Sequence, residues 1–360
     1  MPFARLVRIA VLLGLALGLA AAAPIVWVET RCVTDRADGG PAFASSLPVA
    51  GRRVEVDTYL TYPEWSIVHA YEDLAAVSRA RGESAFAYAS SVAGYWRGLC
   101  AVVRTASARG EIPSDTRTML HVIGISFSAE MAVKGAWEST LGALAEAVRG
   151  AAPTPEDTFS HAVADDYAAF LRQTPWYAYP FAPTLARFWH EVPWQGGHPV
   201  RKVERRVALS LEYGVKAVYA KALGALAGLS PATTTLRSVV RGLDAGDLAA
   251  DARIVLVERR ADGTSVIETP RYRAYTEVLA GLAARGRDLV EIAGNDEVML
   301  TVLAPAGAQR PPGAVPLLAV PVQARPGSER IALAVRVDAL CALLRGLQGG
   351  AISLEHVYDY

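Results

Sequence analysis

Trp65, His69 and Glu72 stand at the spacing that lines one side of a helix. An imidazole beside a carboxylate can relay a proton or grip a polar ligand, and an indole next to them supplies a wall. The simpler expectation for the same residues is a half-exposed face with a local ion pair. A second set, Ser126, Glu130, Lys134 and Glu138, recurs every four residues along a longer helix. On a solvated face this is ordinary surface chemistry, whereas inside a bundle two carboxylates and a lysine would be costly unless paired, and would mark a site. His69, Glu72 and Glu130 are thus the weak candidates for catalysis.

Binding has two further candidates. Between Thr174 and Trp194, 7 of 21 residues are aromatic, against 8% in the whole chain, and Pro175, Pro180, Pro183 and Pro193 punctuate the run. Trp176, Tyr177, Tyr179 and Trp189 belong to it, and with Trp65 they are candidate ligand contacts. Proline bars a long regular helix there, so the rings are expected in an irregular element that plugs the core, lines a pocket or meets a membrane surface. Directly after it, Arg201, Lys202, Arg205 and Arg206 crowd the first turns of a helix, where the macrodipole disfavours positive charge. Glu204 and acids of neighbouring helices could compensate, or else an anionic headgroup or ligand.

No strong catalytic motif accompanies these residues: GxSxG, HExxH, GxxxxGK and GxGxxG are all absent. His190, Glu191 and His198, like His161, Asp165 and Asp166, match no common ligand spacing, so no metal and no cofactor is expected. Lys+Arg and Asp+Glu balance at 36 each, which removes any global field for nucleic acid. Cys32, Cys100 and Cys341 show no CxxC pattern. Export would permit Cys100 and Cys341 to bond, but buried unreactive thiols are the expectation.

The elements that must position these groups follow from periodicity. Ile9 to Val28 is 20 residues without a charge, long enough as a helix to cross a bilayer, with Arg5 and Arg8 before it. Residues 1–30 are read as a membrane anchor or uncleaved signal, Ala20 to Ala23 offering the rival of cleavage. Residues 31–56 read as a flexible linker, 57–245 as a helical bundle, and 250–360 as an α+β sandwich of ferredoxin type, with a mostly antiparallel sheet and two helices. Thr61 to Glu64 has the spacing of a capping box, and Thr154-Pro155-Glu156-Asp157 that of a helix start.

The resulting expectation is a single-pass membrane protein with its body outside the cytoplasm, binding a protein partner or a lipid-like ligand near the bilayer. The alternatives are a small-molecule enzyme with a His/carboxylate site in the helical domain, and a structural subunit of a membrane complex. The last predicts a large apolar patch on the body.

Overall fold

Helical spacing dominates the chain up to residue 227, and strands take over afterwards. The computed structural model describes residues 2–35, 43–227 and 234–360; side chains before residue 18, Leu12 excepted, and those of residues 225–227 lie outside the description. The helices are α1 (Pro2–Arg31), α2 (Asp57–Leu60), α3 (Tyr62–Arg81), α4 (Tyr88–Arg109), α5 (Ser114–Trp137), α6 (Ala143–Arg149), α7 (Pro155–Leu171), α8 (Phe181–Glu191) and α9 (Pro199–Ala227). Then come β1 (Thr235–Arg241), α10 (Ala245–Ala250), β2 (Val255–Arg259), β3 (Thr264–Pro270), α11 (Tyr272–Ala284), β4 (Asp288–Ile292), β5 (Glu297–Pro305), β6 (Ala314–Pro321), β7 (Ser328–Arg336), α12 (Val337–Gly346) and β8 (Ser353–Tyr358). A π-helical turn, Glu138–Gly142, joins α5 to α6.

The expected anchor falls on α1. Much of its apolar run lies among the side chains outside the description, and among the described residues no helix is long and apolar enough to cross a membrane. The base of α1 is fastened to the body. Cys32 is bonded to Cys100 of α4, with their Cα atoms 5.1 Å apart, and Glu29 faces Arg117 at 3.2 Å and His121 at 3.5 Å. The expectation of unreactive thiols therefore holds for buried Cys341 alone. The linker expectation also needs correcting: Leu47 is buried against Val239 and Val266, and the Ser46 amide donates to Glu291 at 3.1 Å. Apolar and hydroxyl side chains let this segment dock on the strands. Residues 36–42 lie outside the description.

The C-terminal unit is α+β but not a single ferredoxin-type sheet. Two four-stranded antiparallel sheets, ordered β2-β3-β1-β4 and β6-β7-β5-β8, share one apolar core with α11 and α12. β1 is a central strand, although it lies within the stretch read as helical. On β5 the alternation of side chains serves two cores. Val298, Leu300 and Val302 enter the α+β core, while Met299 enters the core of the helical bundle together with Ala332, Ala334 and Tyr358. The second sheet is therefore a wall shared by both units, and α3 lies against it.

Local chemistry sets the helix starts unevenly. Thr154 and Asp157 form a reciprocal capping box, with Pro155 in the first turn. Thr61 does not cap: α2 runs into α3 at helical φ/ψ, and its hydroxyl donates to the Thr58 carbonyl instead. That continuity fixes the phase of α3, and with it the direction of His69.

Candidate functional site

Facing the shared wall, α3 presents Trp65, His69 and Glu72 to β8. Thr301 pairs with His356 while Val302 pairs with Leu354, so Glu355 is the extra residue of a β-bulge. A bulge breaks the strict alternation of a strand, and here it turns two successive side chains toward α3. Glu355 comes within 3.6 Å of His69 Nε2, and the His356 ring stacks on Trp65 with centroids 3.6 Å apart. His69 itself is 3% exposed, which corrects the half-exposed face expected from periodicity.

Charge is balanced on both sides of the imidazole. Arg330 donates to both oxygens of Glu355 at 2.6 and 2.7 Å, and Arg172, just beyond α7, donates to Glu72. Burial alone would push the Glu72 carboxyl up, but the His69 hydrogen bond and charge, joined by Arg172, outweigh it and hold Glu72 at about 2. Glu355 is likewise lowered: burial raises it, and His69 and Arg330 more than offset this. An ionised carboxylate can only accept, so His69 Nδ1, 3.1 Å from Glu72, carries a proton. His69 Nε2 has no hydrogen-bond partner although buried, and neither has His356 Nε2. Burial, then the nearby His69, push His356 well below the usual imidazole range, so it stays neutral. Its Nδ1 lies 3.2 Å from the Thr276 hydroxyl.

One donor atom from each of His69, Glu72 and Glu355 lies within 4.8 Å of the others, close enough for the three to converge on a metal ion, and no other such group occurs among the described residues. His190, Glu191 and His198 are exposed, while Asp165 pairs with Arg79 and Asp166 accepts from Tyr179. Glu355, His356 and Arg330 were not among the residues singled out in the sequence. The available signal was an adjacent Glu-His pair, in a chain with 6 histidines, on a strand expected near a core.

Glu130 belongs elsewhere. With Lys134 and Glu138 it faces α9 rather than water: Glu130 meets Lys216 at 2.7 Å and Lys134 meets Glu212 at 3.0 Å. Nearer the start of α9, Arg205 binds Glu83 at 2.7 Å, Glu138 at 2.6 Å and Glu204 at 2.5 Å. Arg201 reaches Asp157, Glu204 and Glu146 at 2.9, 2.8 and 3.2 Å. Glu156 lies 3.0 Å from Arg206 and 3.5 Å from Lys202. Arg201, Lys202, Arg205 and Arg206 are all buried, so the cluster read as a ligand-binding patch is an internal ladder compensated by acids of α6, α7, α9 itself and neighbouring turns. Beside the lower rungs, Glu83, Lys134, Glu212 and Lys216 line a cavity of about 30 Å³, room for roughly one water.

The aromatic stretch divides. Tyr179, Phe181 and Phe188 are core, with Tyr167 packed edge-on to Tyr179 and Phe181; Trp176 and Tyr177 are half-buried. Despite Pro183, α8 forms, because the proline sits in its first turn. Trp189 and Trp194 are exposed, with the Arg206 guanidinium over both rings.

With these charges turned inward, much of the exterior of α5, α6 and α9 is uncharged, between the exposed Asp115 near the start of α5 and the exposed Lys221 on α9. From Thr118 to Val148 every exposed residue is uncharged, including Met119, Val122, Val133, Leu141, Leu144 and Val148. From Val200 to Tyr219 the exposed residues are Val200, Val203, Val207, Leu211, Val215, Val218 and Tyr219. Val218 is 74% exposed and Arg205 1%, on the same helix. The order of cross-pairs, Lys134 to Glu212 and Glu130 to Lys216, makes α5 and α9 antiparallel neighbours. The chain matches no protein-family model, no curated protein and no solved structure.

Proposed function

We propose that this is a membrane-tethered envelope protein that binds rather than catalyses, with the uncharged face of α5, α6 and α9 docked into the acyl region of a lipid surface. The observation that carries this reading is the inverted polarity of α9, ion pairs inside and valines outside. In water such a face leaves a large apolar patch uncovered, which monomeric soluble proteins avoid. Its run from Val200 to Val218 is about 27 Å long at 1.5 Å per residue, close to the roughly 30 Å of a hydrocarbon core. The exposed indoles of Trp189 and Trp194, preceding this run, suit the headgroup level.

Two other features support the same placement. The charge-free run of residues 9–28 supplies a tether. The Cys32–Cys100 bond belongs to the chemistry of oxidising compartments, which favours a body outside the cytoplasm.

The test uses the full-length protein in lipid vesicles, with nitroxide labels placed singly at Val203, Leu211 and Val218 and a water-facing control at Glu277. High collision with oxygen and low collision with a water-soluble nickel complex is the expected result. Nickel access equal to that of the control would overturn the lipid contact. Exclusion of both reagents would replace lipid by a protein partner or a second copy, the structural-subunit alternative.

A second reading, an enzyme, draws on the convergence of His69, Glu72 and Glu355. Glu130 is no part of that group, being paired with Lys216 and accepting from the Tyr71 hydroxyl of α3.

A further inference from the structure

We propose that His69, Glu72 and Glu355 form a binding site for a divalent transition-metal ion, of the zinc class. The inference is independent of the lipid contact. It begins with the donor set: one imidazole and two carboxylates, brought from α3 and from the bulge of β8, with one donor atom of each within 4.8 Å of the others. Nitrogen and oxygen donors in this mixture suit zinc and its neighbours rather than calcium or magnesium, which take oxygen alone.

The second observation is the state of the imidazoles. His69 is 3% exposed, and its Nδ1 is held by Glu72 while Nε2 points toward Glu355 at 3.6 Å without a hydrogen bond. A buried ring nitrogen without a partner is costly, and a metal ion is the partner that also draws in carboxylates. The beta-bulge strengthens the case, because it spends a ladder hydrogen bond to aim Glu355 at α3. His356, 2% exposed, adds a second unpaired Nε2 at the edge of the same cluster and is kept in place by the Trp65 ring.

Arg330 and Arg172 bear on the affinity. Each carboxylate has about four lone-pair sites, so the Arg330 fork on Glu355 leaves capacity for an ion on the other side. Outer arginines orient the ligands as hydrogen-bonded second partners do at metal centres, while their charge weakens the site. Three protein donors leave a coordination position open, as in zinc sites that bind water or substrate.

The full-length protein, stripped with a chelator, is titrated with Co²⁺ and then Zn²⁺. One equivalent of Co²⁺ with visible d–d absorption, bleached by one equivalent of Zn²⁺, is the expected result. Glu72→Gln and Glu355→Gln should each weaken binding about tenfold or more, and His69→Asn should abolish it, while His161→Asn leaves it unchanged. Failure of the parent protein to bind one equivalent, or binding untouched by His69→Asn and Glu355→Gln, would overturn the site. Should His69→Asn fail to fold, the thermal midpoint decides. Zn²⁺ must raise it in the parent protein and by distinctly less in Glu355→Gln, whose amide can still accept from Arg330; an equal rise in both overturns the site.

Discussion

Helix α9 of the helical unit and the surface of the C-terminal unit distribute their charge in opposite ways. In the C-terminal unit Leu300, Leu333, Leu340 and Val357 are inside, and Glu258, Arg273, Glu277, Arg336 and Asp338 face out, the usual arrangement in water. In α9 the order is reversed, with Arg201, Arg205 and Lys216 inside and Val207, Leu211 and Val215 outside. Both units are amphipathic, so amphipathicity alone does not say which side is the core. The difference teaches that the two units answer to different surroundings, one to water and the other, in the proposed reading, to an apolar phase.

That contrast can be broken by single substitutions. Arg205→Met leaves Glu83, Glu138 and Glu204 without their shared partner and should cost about 3–5 kcal/mol in denaturant unfolding. Arg273→Met removes an exposed pair with Glu277 and should change stability by about 0–1 kcal/mol. Equal effects would erase the distinction between the two charge sets. Next in size is the covalent clamp: Cys32→Ser with Cys100→Ser should lower stability by about 2–4 kcal/mol, read from the thermal midpoint with and without reductant.

Acid sharpens the contrast at the junction of the units. Glu72 is held at about 2, below its ordinary value of 4.5, so its contribution is complete above the ordinary value and is lost as pH falls toward 2. The loss should be on the order of 2 kcal/mol, seen as a falling thermal midpoint that Glu72→Gln flattens. Smallest in stability is the exterior of α9. Val207→Gln with Val215→Gln should shift detergent-state unfolding by less than about 0.5 kcal/mol, yet reduce partition of the protein into vesicles severalfold. A large stability loss instead would place those valines in a core.

Much of the secondary structure was legible, for reasons visible in particular residues. The strand at Asp288–Ile292 was read to its ends because Gly286 and Gly294 bracket an alternating run, and the helix from Ser114 to Arg149 was recovered apart from its π turn. β1 was not: Pro231 breaks the helical pattern after α9, but the short Val239-Val240 core of Thr235–Arg241 fits either period. The basic cluster on α9 was visible as a stripe, but its direction depended on Glu83, Glu138, Glu156 and Asp157 arriving from other helices. His69 and Glu72 could be paired from spacing alone. Glu355 could not, because 283 residues separate it from Glu72 and its aim depends on a bulge that no local pattern announces.

The fastening at the base of α1 has a mechanical consequence. Cys32 is locked to α4, Glu29 reaches Arg117 and His121, and the Thr34 amide donates to Ser107 at 3.1 Å. A tethered ball swings on its string; a rod welded to its load does not. With α1 embedded, any tilt of that rod would be delivered to α4 as torque and would carry the whole bundle through the same angle, so the orientation of the body would be set by the lipid thickness around its stalk.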